Sequence, residues 1–177
     1  MREASDTTLQ DTIIRLYEAE PSLRTLPQSV FDGVARLVDA DAVGYTEQHG
    51  VTHEFRALVS VEDDPAARMR LMQAYARHMH SHPFWLRLPE FFGERALRES
   101  DFFSDAEYLA LPIAQEAFLP AGAHRNMAIV IPYNGYTVTV TVMRVVGRAA
   151  FGDVERDRLQ AYRAHLARCY RQAQERT

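Results

Sequence analysis

Apolar and polar positions alternate along this chain with two different periods, and the switches between them outline its elements. From Thr8 to Ala19, Leu9, Ile13, Leu16 and Tyr17 recur at helical spacing, and Pro21 closes the segment. Val30, Phe31, Val34, Leu37 and Val38 predict a second helix over 27–40, with Pro27 suited to its first turn. The period then drops to two. Ala42 to Gln48 and Val51 to Ser60 read as strands joined at His49-Gly50, a hairpin. Asp63-Asp64-Pro65 is a helix start, and Met69, Met72, Tyr75 and Met79 carry that helix to about Ser81, where Pro83 ends it. Arg95 to Glu99 fits a short strand, and Ser104 to Phe118 a helix broken or kinked at Pro112.

Asn126 to Pro132 and Tyr136 to Val146 form the clearest pair, around Tyr133-Asn134-Gly135. Asn-Gly favours a tight hairpin because both turn positions take positive φ. In the second strand Tyr136, Val138, Val140 and Val142 alternate with Thr137, Thr139, Thr141 and Met143, one core face and one only half-apolar. An amphipathic helix rich in arginine follows from Phe151 to Arg176. Tight hairpins require a largely antiparallel sheet, and the helices are needed to cover it. The expected fold is α+β: a central antiparallel sheet of about five or six strands with helices on both sides. No linker or repeat divides residues 1–177, so one domain is expected.

Bulk properties then narrow the function. A chain of 177 residues with net charge −4 makes no electrostatic case for nucleic acid. No apolar run reaches the length of a membrane span and the N-terminus carries no signal-peptide core, so a cytoplasmic location is expected. All 20 basic residues are arginine, which excludes Schiff-base lysines and a phosphate-loop lysine. Cys169 is the only cysteine, which excludes disulfides and Cys-x-x-Cys redox chemistry. There is no Gly-x-Ser-x-Gly and no glycine-rich phosphate loop, so catalysis is not expected. His78, His80 and His82 lack the glutamate of a zinc-protease motif and read better as helix-end histidines than as metal ligands. No metal or cofactor is expected.

Candidate binding chemistry concentrates between the strands. Residues 84–118 hold eight aromatics in 35 positions, against 10% over the whole chain. Small-molecule pockets are lined mainly by such groups, whereas core filling is their commonest alternative use. Trp85, Phe84 and Phe102 are expected to enclose a pocket, with Tyr45 and His82 as polar contacts. Arg144 continues the parity of Val138, Val140 and Val142, so it should sit at the sheet edge or meet a carboxylate, a carbonyl or an anionic ligand. In the last helix Leu159, Tyr162, Leu166, Cys169 and Ala173 make a two-heptad seam. Its first half should lie on the sheet, while the second half should project and pair in a two-fold homodimer.

Several stretches together resemble a known family. His82-Pro83, Ser100-Asp101-Phe102-Phe103-Ser104, Phe118-Leu119-Pro120-Ala121-Gly122 and Met127-Ala128-Ile129-Val130 match it in order and spacing. They resemble the GAF-like N-terminal sensor region of bacterial transcription regulators that carry a C-terminal LuxR-type helix-turn-helix. Phe151-Gly152-Asp153 and the helix after it resemble the segment that leads into the DNA-binding module. The resemblance implies small-molecule sensing, dimerisation and control of transcription through a module that does not follow Arg176. The chain itself is therefore not expected to contact DNA; it is either a sensor cut from a longer regulator or a stand-alone relative. The Trp/Tyr/Asp set of acyl-homoserine-lactone receptors cannot be laid on this sequence, and the ligand stays unnamed. A dimerisation or scaffold domain with a vestigial pocket is the alternative reading, and a small enzyme the third.

Overall fold

The computed structural model describes residues 2–61, 64–84, 86, 93 and 95–176, with side chains from residue 7 onward. Helices α1 (Arg2–Glu18) and α2 (Leu26–Leu37) precede strands β1 (Ala42–His49) and β2 (Phe55–Val59). Helix α3 (Pro65–His78) runs into a 3-10 turn, Met79–Ser81. Next come the short strand β3 (Leu97–Arg98), a second 3-10 turn (Glu99–Asp101) and helix α4 (Asp105–Leu109). A π turn (Ala114–Phe118) leads to β4 (Arg125–Tyr133), β5 (Tyr136–Arg144) and helix α5 (Asp153–Glu175).

The five strands pair antiparallel in the order β2-β1-β5-β4-β3. Asn134 and Gly135 take φ of 48° and 81°, the mirror-image turn that lets β4 and β5 pair without splaying. The β1–β2 connection is wider than the expected two-residue turn. His49 donates its N–H to Glu54 O at 2.9 Å, His53 stands at φ 58°, and β2 begins only at Phe55.

Strand alternation sorts the sheet into two unlike faces. Val43 and Tyr45 of β1, Met127, Ile129 and Ile131 of β4, and Val138, Val140 and Val142 of β5 form one buried layer beneath α1, α2 and α5. Helix α2 lies close because Gly33 has no side chain: a Cβ there would stand 2.4 Å from the Tyr162 hydroxyl. Helix α5 buries Leu159, Tyr162, Leu166, Cys169, Tyr170 and Ala173. The seam assigned to a second copy is thus filled by the chain's own core. The projecting second half does not exist in this form, since Cys169 is 2% and Ala173 1% exposed.

The opposite face carries the other parity. Gly44 and Thr46 on β1 pair with Thr141 and Thr139 on β5, which pair in turn with Ala128 and Val130 on β4. Among the described residues, Phe84 and Phe102 close the β3–β4 side of this face, packed against Leu97, Ala128 and Val130. Helix α3 packs chiefly on the π turn and buries none of its residues. The sheet beneath β2, β1 and β5 is consequently half-covered. Gly44, Thr46, Ala57, Thr139, Thr141 and Met143 are all half-buried there.

Candidate ligand-binding site

An aromatic wall rises from β4 to α3 and borders that half-covered floor. Phe84 lies 5.3 Å from His82, His82 lies 5.5 Å from Phe118, and Tyr75 of α3 touches both His82 and Phe118 at 5.8 and 6.4 Å between ring centres. Pro83 ends the helical run and turns Phe84 inward, where it is 2% exposed. Burial pushes the His82 imidazole down to about 3, so the ring is neutral. Its Nδ1 accepts the Phe84 N–H at 3.1 Å, which leaves the proton on Nε2 as a donor. Phe102 joins the lower end of the wall. A cavity of about 350 Å³ opens beside it, among Gly93, Arg95, Leu97 and Asp101.

The floor is made of hydroxyls. Among the described residues, no protein group engages the side chains of Thr46, Thr139 or Thr141. Met143 covers Gly44, its methyl 3.5 Å from where a Cβ would stand.

Below the wall lies a buried polar cluster. Glu99 is 1% exposed and accepts the Asn126 N–H at 2.9 Å, with Arg125 at 3.9 Å. Arg125 is held by both oxygens of Asp105 at 2.6 and 2.5 Å, and Asn126 donates to the Tyr108 hydroxyl at 2.6 Å. Burial pushes the Glu99 carboxyl up to about 7, against the pull of the Asn126 N–H and Arg125. Between about pH 4.5 and 7 the folded chain keeps a proton that the unfolded chain releases. The stability this lends is therefore full below pH 4.5 and lost as pH rises through 7. Glu99→Gln should abolish that slope and gain on the parent between pH 5 and 8 by up to about 3 kcal/mol. Urea titrations of both chains at the two pH values give the difference directly, and a parent that gains on the variant over this range would contradict it.

The same turn reaches the last helix. Arg98 binds Asp101 at 2.6 and 3.0 Å and, on its other side, donates to Asp153 and to Phe151 O, each at 3.0 Å. Arg156 stands 3.8 Å from Asp101 and 3.3 Å from Asp153. A residue lining the cavity is thereby one ion pair from the start of α5.

The expected site residues separate. Phe84, Phe102 and His82 come together on the open face. Trp85 lies outside the described residues. Tyr45 is on the other face, fully buried, with its hydroxyl 3.4 Å from Glu47, which also accepts from Tyr170 at 2.6 Å. It is core, because β1 alternation puts it on the parity of Val43 beneath the helices. Arg144 is also on that face and spends its donors within the chain: on Asp39 O at 2.8 Å, Ala149 O at 3.0 Å, Ala150 O at 3.2 Å and Glu155 at 2.5 Å. Its carboxylate and carbonyl partners match the structural option of the sequence analysis, not the anionic ligand. Tyr75, Phe118 and the threonine row were not named as site residues, although the half-apolar strand face was visible in the alternation of β5.

A larger cavity of about 450 Å³ lies between the ends of α1 and α5, lined by Tyr17, Glu20, Pro21, Cys169, Gln172, Glu175 and Arg176. Two of its charged groups are already engaged, Arg176 on Pro21 O at 2.9 Å and Glu175 with the Tyr133 hydroxyl at 3.4 Å. It lies under the helices, away from the aromatic wall.

A five-stranded antiparallel sheet with terminal helices on one face and a half-covered cleft on the other is a GAF-like α+β fold. No protein-family model and no curated protein matches the sequence. Among solved structures, the chain superimposes on SdiA of Escherichia coli with a TM-score of 0.65 and 18% identity, over 95% of this chain and 66% of that one. The N-acylhomoserine-lactone-dependent LuxR-family transcription factor CepR2 of Burkholderia cenocepacia gives 0.63 and 15% identity, over 98% of each chain. The GAF domain of a phosphoenolpyruvate-protein phosphotransferase from Coxiella burnetii gives 0.56 and 14%, over 96% of each. The chain spans about two thirds of the length of SdiA. These likenesses establish the fold. Among the described residues no helix is long and apolar enough to cross a membrane.

Proposed function

We propose that the chain is a small-molecule-sensing regulatory domain, not an enzyme, that binds its ligand between the threonine floor and the aromatic wall. The half-covered sheet face is the observation that carries this reading. Phe84 fills the small cluster on β3 and β4, but His82, Phe118 and Tyr75 stay only half-buried and α3 has no fully buried residue, so these three rings do not close α3 onto the sheet. Two structural neighbours support it: CepR2 depends on N-acylhomoserine lactone, and SdiA has been solved with octanoyl-rac-glycerol. Occupancy of the cleft would shift the 97–103 segment and reach α5 through Arg98, Asp101 and Asp153. In the intact regulator α5 would lead to a LuxR-type DNA-binding module acting on transcription in the cytoplasm.

Native mass spectrometry of the purified chain tests this. The expected result is an adduct of a few hundred daltons that denaturation releases. Bare chain mass from every expression host, together with a crystal structure in which α3 lies on the threonine row, would refute the sensor.

A further inference from the structure

Strand β2 forms an edge of the sheet: among the described residues no strand lies beyond it in the order β2-β1-β5-β4-β3. Strand parity fixes which of its backbone groups are idle. Ser60 donates its N–H to Val43 O and His49 donates its own to Glu54 O, so the even-numbered residues from Glu54 to Ser60 turn their backbone toward β1. Phe55, Ala57 and Val59 therefore aim their N–H and C=O groups outward. Their side chains lie on the open face, where Ala57 is the partner of Thr46. Phe55 and Val59 are 50% and 39% exposed, and Val61, just past the strand, is 47% exposed. Natural sheets commonly guard such an edge with an outward charge, a proline or a bulge. Residues 55–59 hold no proline and their register runs without a bulge. Their one charged residue, Arg56, is on the helix-covered face and donates to Leu23 O and Arg24 O at 2.9 and 3.4 Å.

We infer that β2 docks a second copy of this chain, pairing antiparallel with its own counterpart about a two-fold axis at Ala57. That axis overlaps the whole of Phe55–Val59, whereas an axis at either neighbouring residue overlaps only part of it. Phe55 then stands opposite Val59 of the second copy, Ala57 stands opposite its own counterpart, and the outward N–H and C=O groups of the two strands satisfy one another. Charge selects the same register. Arg56 faces Leu58 of the second copy, while an axis at Arg56 would set two guanidinium side chains directly opposite each other. The join is about 17 Å long, a small interface beside the roughly 1,200–2,000 Å² of stable ones, so the dimer should dissociate at about 10–100 µM. It requires neither a ligand in the cleft nor any exposed seam on α5.

Sedimentation equilibrium of the full chain, from about 1 to about 300 µM, tests this and should show a monomer passing into a dimer. Phe55→Lys should weaken the dimer by about tenfold or more, as an edge lysine does, without moving the melting temperature. Adding Val59→Glu to that chain should restore the dimer, because each lysine would then face a glutamate of the second copy. Ala57→Cys should cross-link under mild oxidation, since directly opposed residues lie about 5.5 Å apart between Cα atoms, within disulfide reach. Phe55→Cys should not, because its two copies would lie roughly 14 Å apart. The chain's own Cys169 is buried and does not interfere. A parent that stays monomeric throughout overturns the inference. So does a dimer that Phe55→Lys leaves unchanged, or one that cross-links through residue 55 and not through residue 57, because another surface would then hold the copies together.

Discussion

A chain carrying Leu166→Glu is expected to lose its fold, not to separate from a partner. Leu166 is 0% exposed and sits in the cluster that joins α5 to the sheet, with Tyr162 and Leu159 one and two turns before it and Tyr170 one turn after. Removing a buried leucine side chain alone costs about 2–5 kcal/mol. The glutamate adds a carboxylate to that apolar layer, a further cost of several kcal/mol unless it is paired or takes up a proton. The sum is comparable with the whole stability of a domain, about 5–15 kcal/mol. Ile14 on α1, 53% exposed, is the matched control, and Ile14→Glu should change stability by about 0.5 kcal/mol or less. Circular dichroism melts and sedimentation velocity read both variants. A Leu166→Glu chain that melts with the parent but sediments at half its mass would contradict the packing described here.

That expectation reverses the reading of the last helix from its sequence, and the reason is physical. Spacings of three and four among Leu159, Tyr162, Leu166, Cys169 and Ala173 state only that one face is apolar. They fit a helix lying on a sheet as well as one lying on its twin. What decides is how far the sheet extends, and the wide turn before Phe55 and the length of β4 are not written in α5. Strand parity behaved similarly. The alternation of β5 and the Asn134-Gly135 turn were legible because both are local, and they gave the hairpin and its two faces. Which β1 residues share the open face depends on register between β1 and β5, strands separated by about half of the chain, so Tyr45 was placed on the wrong side. The aromatic excess of 84–118 was legible, and Phe84, Phe102 and Phe118 from it pack on the open side of the sheet. The sequence contained Tyr75, Phe118 and the threonines too, but only the fold brings α3, the π turn and the sheet to one cleft.

Arg144→Met is the second large effect expected. Arg144 is 6% exposed and ties the start of α5 to the end of the sheet. Its donors take Asp39 O, Ala149 O, Ala150 O and Glu155, and its plane lies 4.2 Å over the Phe151 ring. Glu155 in turn accepts the Gly152 N–H at 3.0 Å, so one arginine orients the residue that caps the helix. Methionine fills part of the volume but strands the half-buried Glu155 carboxylate and takes donors away from three carbonyls. Breaking one side of a buried pair costs about 3–5 kcal/mol. For a chain of this length that is a fall of roughly 10 °C in melting temperature. Arg144→Lys should recover only part of it, because an ammonium cannot reach the divergent partners that the planar fork reaches together. Hydrogen exchange should quicken first at the amides of the opening turn of α5, before the turns around Leu166. Ligand affinity supplies the decisive contrast, since Arg144 lies on the covered face of the sheet and the cleft on the other. A variant with unchanged melting and weakened binding would mean that Arg144 serves the ligand; lost stability with binding retained at low temperature would mean that it serves the helix.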